Sequence, residues 1–305
     1  MILHHWDSDG IASAALMLRM ENDENFTPKI GNYFIDSDDM KELRKYDEIK
    51  IVDMNLPDAS KLCEFAKIWI YDHHLAKKVE CAQEHCNPFL EGKSYPSATL
   101  VIMERFNLSF DYIVALGIIG DNGPKTKQLK EYELIKRLEN DGIKFNDLQK
   151  AVELIDSSYK INDRKEVTEN VKLVLNGIEE ILGNEKLNRN VELIGKEIEK
   201  WAGKAEKIDG VRILKMKTDY NIISAVTRKI VWENGGTALV LNEKRDRDEI
   251  YLRSMEMDVR WLIEMAKKKY FAGGKKEVMG VVLPKGEGEK FFEKILSMIT
   301  REKVY

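Results

Sequence analysis

The stretch His5-Trp6-Asp7-Ser8-Asp9-Gly10 follows directly on the apolar run Met1-Ile2-Leu3 and leads into a second apolar run at residues 11–20. It reads as a short buried strand, residues 1–5, that turns through Asp-Ser-Asp-Gly into an apolar helix. The same pattern recurs downstream. Residues 50–52 read as a strand ending at Asp53, and residues 68–71 as a strand ending at Asp72. Residues 33–35 read as a further strand, followed by an acidic loop at 36–39 and a charged helix. Residues 59–66 and 97–106 have helical spacing, the latter after Pro96, which suits a helix start. Strands alternating with helices predict a parallel α/β sheet. The carboxyl ends of the strands in such a sheet line one crevice, so segments far apart in sequence bring Asp7, Asp53 and Asp72 to one place.

From Pro124 to about residue 207 the pattern is helical, with long charged faces and no strand signal. Strand-helix alternation returns at residues 211–216 (strand), 222–232 (helix), 237–241 and 249–253 (strands), 258–270 (helix), 278–283 (strand) and 287–299 (helix). The expected organisation is a catalytic domain with a helical extension over residues 1–184, a linker helix over 185–207, and a smaller α/β domain over 208–305. A chain of 305 residues is long enough for two cores. A formal net charge of −4 excludes a protein that binds nucleic acid through bulk basic charge. No apolar stretch approaches the roughly 20 residues that cross a bilayer, and the N-terminal residues lack the pattern of a signal peptide. The three cysteines, Cys63, Cys81 and Cys86, form no CxxC pair and leave an odd one over, which predicts a reducing, cytoplasmic setting without a disulfide scaffold.

Four of the five histidines sit as two doublets, His4-His5 and His73-His74, beside aspartates at predicted strand ends. On an extended segment residues 5, 7 and 9 face one side, placing an imidazole and two carboxylates within reach of cations. Gly10 permits the turn, and the following helix N-terminus favours a phosphate. The plainer reading is an Asx-rich turn with Asp9 capping the helix. Asp72-His73-His74 offers a carboxylate and two imidazoles, a set that suits Mn²⁺ or Zn²⁺ better than Mg²⁺. Asp53, and Asp121 within Gly117-Ile118-Ile119-Gly120-Asp121-Asn122-Gly123, are individually unremarkable, and the second could be an ordinary turn. Cys81, His85 and Cys86 lack an evident fourth ligand for zinc.

Taken in order, His-x-Asp-x-Asp-Gly, Asp, Asp-His-His and Gly-Asp-x-x-Gly resemble the DHH phosphoesterase superfamily, which includes RecJ-type exonucleases, oligoribonucleases, cyclic-dinucleotide phosphodiesterases and family II pyrophosphatases. The resemblance implies that Asp7, Asp9, Asp53, His73 and Asp121 bind two Mn²⁺ ions, with Mg²⁺ the alternative, and that Asp53 bridges them. It implies that His74 touches the scissile phosphate or the metal site. His5 fits the His-x-Asp-x-Asp variant, while the position four before the first Asp, a histidine in several branches, is Leu3. His4 is expected to be structural. Two close cations lower the pKa of a water and stabilise charge on phosphorus, so no Ser, Cys or Lys nucleophile is needed.

The second half resembles the DHH-associated substrate domain more loosely. Leu252-Arg253-Ser254 matches its Arg-Ser strand, and Ala272-Gly273-Gly274-Lys275 stands where the family has Gly-Gly-Gly-His. Arg253, Gly273, Gly274 and Lys275 are therefore the expected substrate contacts, with glycine-turn amides holding phosphate. Lys267-Lys268-Lys269-Tyr270-Phe271 combines basic charge with stacking rings, as a single-stranded path needs, or is a solvated helix end. Ser97 and Thr99 either contact phosphate or cap a helix. The expected activity is that of a single-strand-specific RecJ-like exonuclease on DNA or RNA. The alternative is a phosphodiesterase of short oligonucleotides, adenosine bisphosphate or a cyclic dinucleotide. The resemblance extends to archaeal DNA-repair nucleases that work beside a DNA helicase or the replisome; homo-oligomers are compatible with it, and no membrane partner is expected.

Overall fold

The computed structural model describes residues 1–32 and 34–302. By internal contacts the chain falls into two compact units, Met1–Val191 and Glu192–Tyr305.

The first unit is built on a five-stranded sheet. Its elements run β1 (Ile2–His4), α1 (Ser8–Met20), β2 (Asn25–Phe26), α2 (Ser37–Leu43), β3 (Glu48–Val52), α3 (Ala59–Leu62), β4 (Lys67–Tyr71) and β5 (Glu84–Cys86). Strand order is β2-β1-β3-β4-β5 and every pairing is parallel. Alternate strand residues enter two cores: Ile2, Val52 and Tyr71 pack with α1 on one face, and Leu3, Ile49, Ile51, Ile68 and Ile70 with Leu43 and Leu62 on the other. Burial on both faces is why the strands read as continuous apolar runs. A helical layer follows: α4 (Ala98–Arg105), α5 (Tyr112–Asn122), α6 (Tyr132–Arg137), α7 (Phe145–Lys160), α8 (Arg164–Asn176) and α9 (Ile178–Gly183). Apolar residues of α5, α7 and α8 join the α1 side of the core.

Several expectations are corrected here. Tyr33 lies outside the described residues, and Phe34 and Ile35 are not in a strand; the strand after α1 is the two-residue β2. The acidic loop at 36–39 is the start of α2, with Asp36 accepting from the amides of Asp38 and Asp39. β5 has no counterpart in the sequence reading, because Glu84-His85-Cys86 carries no apolar alternation. Cys63 and Cys81 form a disulfide with Cα atoms 6.1 Å apart, leaving Cys86 as the free thiol. The expectation of no disulfide therefore fails: an 18-residue separation carries no sequence signal of spatial proximity.

In the second unit, α10 (Glu185–Ala202), which contains the division point, is followed by β6 (Glu206–Ile208), β7 (Val211–Met216), α11 (Ile223–Asn234), β8 (Thr237–Glu243), β9 (Arg247–Ser254), α12 (Arg260–Lys267), β10 (Phe271–Lys275), β11 (Val278–Pro284) and α13 (Gly288–Glu302). The mixed sheet has order β10-β11-β9-β8-β7-β6, with only β7 and β8 parallel. Ile250, Leu252, Met279 and Val281 form its core with Leu262, Phe292 and Ile295 of α12 and α13. The expected glycine turn is the strand β10. Strand interiors are usually poor in glycine, which hides it in the sequence.

Candidate metal centre

Side chains from four segments meet beyond the carboxyl ends of β1, β3 and β4. The first comes from the β1–α1 turn, though not as an extended 5-7-9 face. Asp7 is the N-cap of α1, its carboxylate accepting from Gly10 N–H at 3.1 Å, and Asp9 lies in the first helical turn. Asp9 is fully buried, and its oxygens accept from Ala98 N–H (2.7 Å) and Thr99 N–H (3.1 Å) at the start of α4. That helix N-terminus offers orphan amides and positive dipole to the carboxylate. The approach depends on two glycines of α5. A Cβ on Gly117 would collide with Asp9 Oδ1 and Thr99 Oγ1, and one on Gly120 with Ser8 Oγ. Asp121 follows on the same helix, so the apolar run before it is helical rather than a turn.

Asp53 leaves β3 with φ of +56°, a left-handed conformation that costs a non-glycine residue energy and tends to mark functional sites. His73 is oriented by Nδ1, which donates to the Tyr95 carbonyl at 3.0 Å. Its Nε2 then faces Asp121 Oδ2 (3.1 Å), Asp53 Oδ1 (3.5 Å) and Asp9 Oδ2 (3.7 Å). The His74 ring is held through Nδ1 by buried Asp72 at 2.8 Å, and Asn87 Nδ2 ties the His74 carbonyl at 2.9 Å. His5 Nδ1 lies 2.7 Å from Asp7 Oδ2 and 3.7 Å from Asp53 Oδ2. His4 turns away, its Nε2 3.1 Å from Asn25 Oδ1, and burial pushes its pKa down to about 4. Asp72 orients His74 rather than joining the cluster. Asn87 and Tyr95, which fix the two motif histidines, give no signal in the sequence as isolated loop residues.

Among the described residues three sets of possible ligand atoms result: His5, Asp7 and Asp53; Asp53, His73 and His74; and Asp9, His73 and Asp121, each set lying within 4.8 Å. Asp53 is shared by the first two and His73 by the last two. Both Asp53 oxygens and His73 Nε2 are buried without a hydrogen-bond partner. Burial, then the charges of Asp9 and Asp7, raise the Asp53 pKa well above the usual carboxylate range. Burial and Asp121 raise Asp9. Burial opposes the charged form of His73, but the facing carboxylates of Asp121, Asp53 and Asp9 outweigh it and lift the pKa to about 12. Burial also works against an ionised Asp7, yet the imidazole of His5 overcomes this and holds it below the usual value. Buried carboxylates that repel one another, with Asp53 lacking a donor on either oxygen, fit divalent cations held by a mixed imidazole–carboxylate set.

Ser97 follows the capping reading, whereas the Thr99 hydroxyl ties α4 to α5. Ser97 Oγ accepts from Leu100 N–H at 3.2 Å, and Thr99 Oγ1 donates to the Val114 carbonyl at 3.1 Å.

In the second unit, register places Gly273 opposite Gly280, Lys275 opposite Val278, and Val278 and Gly280 opposite Arg253 and Tyr251. These residues share the sheet face opposite the α12–α13 core. A Cβ on Gly273 would meet nothing within 4 Å, so bare backbone is open there. Gly274 has a different cause. With φ of +147°, its Cβ would run into the Val278 carbonyl, so the hairpin requires glycine. Arg253 Nε is buried without a hydrogen-bond partner, and Lys275 is exposed. The basic stretch before them is largely engaged internally: Lys267 pairs with Glu264 at 2.8 Å, Lys269 with Glu287 at 2.5 Å, and the Tyr270 ring packs on Phe291.

No protein-family model matches the sequence, and no curated protein matches it either. Solved structures do match in fold. A structure of exonuclease RecJ bound to manganese superposes with a TM-score of 0.68 at 16% identity, over 98% of this chain and 89% of that one. RecJ from Thermus thermophilus in complex with Mn²⁺ gives 0.70 at 17% identity, over 99% of this chain but 52% of its own, so this chain spans about half that protein's length. The pGpG-specific phosphodiesterase PggH from Vibrio cholerae gives 0.57 at 15% identity, over 98% of both chains. The chain has a RecJ-like DHH fold.

Proposed function

We propose that this RecJ-like fold is a metal-dependent phosphoesterase, and within that class a single-strand-specific exonuclease acting on DNA or RNA. The observation that carries the reading is Asp53: a buried carboxylate without a donor, common to two sets of ligand atoms. Asp7, Asp9, Asp53, His73, Asp121 and His5 would hold two Mn²⁺ ions, with Mg²⁺ the alternative. Bound cations would lower the pKa of a water and neutralise charge building on phosphorus. The protein's own work is positional. Asp72 fixes the His74 ring, which is 48% exposed, so its remaining nitrogen is offered to a non-bridging phosphate oxygen. Tyr95 and the α4 amides fix His73 and Asp9. No side-chain nucleophile enters.

Substrate recognition is assigned to the face bearing Arg253, Gly273 and Lys275, where a guanidinium and an ammonium flank open backbone. Residues 1–184 would carry catalysis and 208–305 recognition, with 185–207 linking them. A cytoplasmic location, self-association and work beside a DNA helicase or replisome go with this reading.

A second reading, cleavage of short oligonucleotides or cyclic dinucleotides, is favoured by one finding. The internal pairing of Lys267 and Lys269 shortens the basic path that a long strand would follow.

The deciding experiment is incubation with Mn²⁺ against end-labelled long single-stranded DNA and RNA, dinucleotides, a cyclic dinucleotide and pyrophosphate. The leading reading expects progressive shortening of long strands. Preference for dimers would transfer the case to the second reading. Inactivity on every substrate, unchanged by Asp53→Ala, would remove the enzyme reading.

A further inference from the structure

The acidic turn at the start of α1 has an anchor outside the motif segments. Ser8 is the first helical residue of α1, and its N–H is one of the donors that no helix can satisfy internally. The Asp7 carboxylate serves Gly10 rather than Ser8. Ser8 N–H instead donates to Asp156 Oδ1 at 3.0 Å, from a residue 148 positions away on α7. The second oxygen of Asp156 lies 3.6 Å from Lys160 Nζ one turn further along. Asp156 is in none of the three sets of ligand atoms. Ser8 stands between Asp7 and Asp9, so a bond to its amide fixes the backbone that aims both carboxylates. α7 itself is immobilised by Leu148, Ala151, Leu154 and Ile155, fully buried in the core that also receives α1 and α5. A rigid helix therefore grips the turn at Ser8 by charge-assisted hydrogen bonding to Asp156.

We infer that Asp156 is a positioning residue, which sets the Asp7-Ser8-Asp9 turn for metal binding by accepting the Ser8 amide. The role in metal binding rests on the phosphoesterase reading above; the grip on the turn does not. A misplacement of about 1 Å in such a constellation is costly, and loss of an outer partner lowers metal affinity by roughly 10–100-fold.

The test compares Asp156→Ala, Asp156→Asn and, as a packing control on the same helix, Ser157→Ala, whose hydroxyl donates to the Leu154 carbonyl at 2.6 Å. In metal-free protein, amide exchange at Ser8 should accelerate about tenfold or more in Asp156→Ala and stay near wild type in Asp156→Asn, whose side-chain oxygen still accepts. Calorimetric Mn²⁺ affinity should weaken by roughly 10–100-fold in Asp156→Ala and recover mostly in Asp156→Asn. On any cleaved substrate kcat should fall with KM little changed, and Ser157→Ala should behave as wild type. Unaltered Ser8 exchange in Asp156→Ala would overturn the inference. So would unaltered Mn²⁺ affinity, or Asp156→Asn being as damaged as Asp156→Ala, which would make charge rather than the hydrogen bond the agent. A wild-type protein that binds no Mn²⁺ would sink the phosphoesterase reading and the metal role with it, while the exchange result still decides the grip on the turn.

Discussion

Two aspartates, one in each unit, are equally hidden and oppositely served: Asp53 and Asp248 are each 1% exposed. Asp248, on β9, accepts from Gly286 N–H (2.7 Å) and Gly288 N–H (3.0 Å) and pairs with Lys285 Nζ (3.0 Å). It closes the loop into α13 and asks for nothing more. Asp53 has no hydrogen-bond donor on either oxygen, and Asp7, Asp9 and Asp121 crowd it. Buried polar atoms are almost always satisfied, and buried charges are paired or bind metal. One carboxylate is architecture, and the other has the signature of a ligand kept for a cation.

The contrast is sharpened most by substitution at its two poles. Asp53→Asn should reduce Mn²⁺-supported cleavage by about a thousandfold or more, some 4 kcal/mol of transition-state stabilisation, as initial rates would show. Retention of activity within tenfold would break the comparison. Asp248→Ala should leave buried amides and Lys285 without their acceptor and destabilise the second unit by roughly 3 kcal/mol, read from denaturant midpoints. A neutral result there would mean that satisfaction of Asp248 is incidental.

Titration gives the next effect. Asp53 and Asp9 have raised pKa values in the folded, metal-free protein, so the folded state holds their protons more tightly than the unfolded chain. Their contribution favours folding below the ordinary carboxylate range of about 4 and is lost as pH rises through the raised values. The metal-free melting temperature should therefore decline from about pH 5 to 8. The gain on adding Mn²⁺ should grow over the same window, because the ions displace those protons. A flat metal-free profile, with a pH-independent Mn²⁺ gain, would count against crowded carboxylates as the source. The smallest effect belongs to the sheet face of the second unit that carries Arg253, Gly273 and Lys275. Arg253→Ala should raise KM roughly tenfold with kcat nearly unchanged, about 1.4 kcal/mol of binding, and Lys275→Ala less. A fall in kcat alone would move Arg253 out of a binding role.

Much of the first unit is legible in the sequence because parallel strands buried on both faces are apolar runs, and each of β1, β3 and β4 is followed at once by a motif aspartate or histidine. α1 is legible for the same reason, through its apolar residues. What stays hidden depends on contacts across the fold. The sequence pattern puts Asp9 on an extended face, whereas the capping role of Asp7 draws it into the helix. Gly117 and Gly120 look like turn residues, because their service to Asp9 and Ser8 exists only once α5 lies against α1. Asn87, Tyr95 and Asp156 act through hydrogen bonds across the fold with no local pattern. β10 reads as a turn because glycine normally weakens strands, and Gly274 is required by the Val278 carbonyl rather than by a ligand. The Cys63–Cys81 pair is invisible for want of any spacing rule.

The most direct test of the account compares melting temperatures of wild type and Asp53→Asn at pH 8, each with chelator and with saturating Mn²⁺. Metal-free Asp53→Asn should melt above the metal-free wild type, since a neutral amide replaces a crowded carboxylate. Mn²⁺ at a hundred times its Kd should stabilise the wild type by about 2.7 kcal/mol and the variant far less. An Asp53→Asn protein that melts below the wild type and gains as much from Mn²⁺ would contradict both expectations.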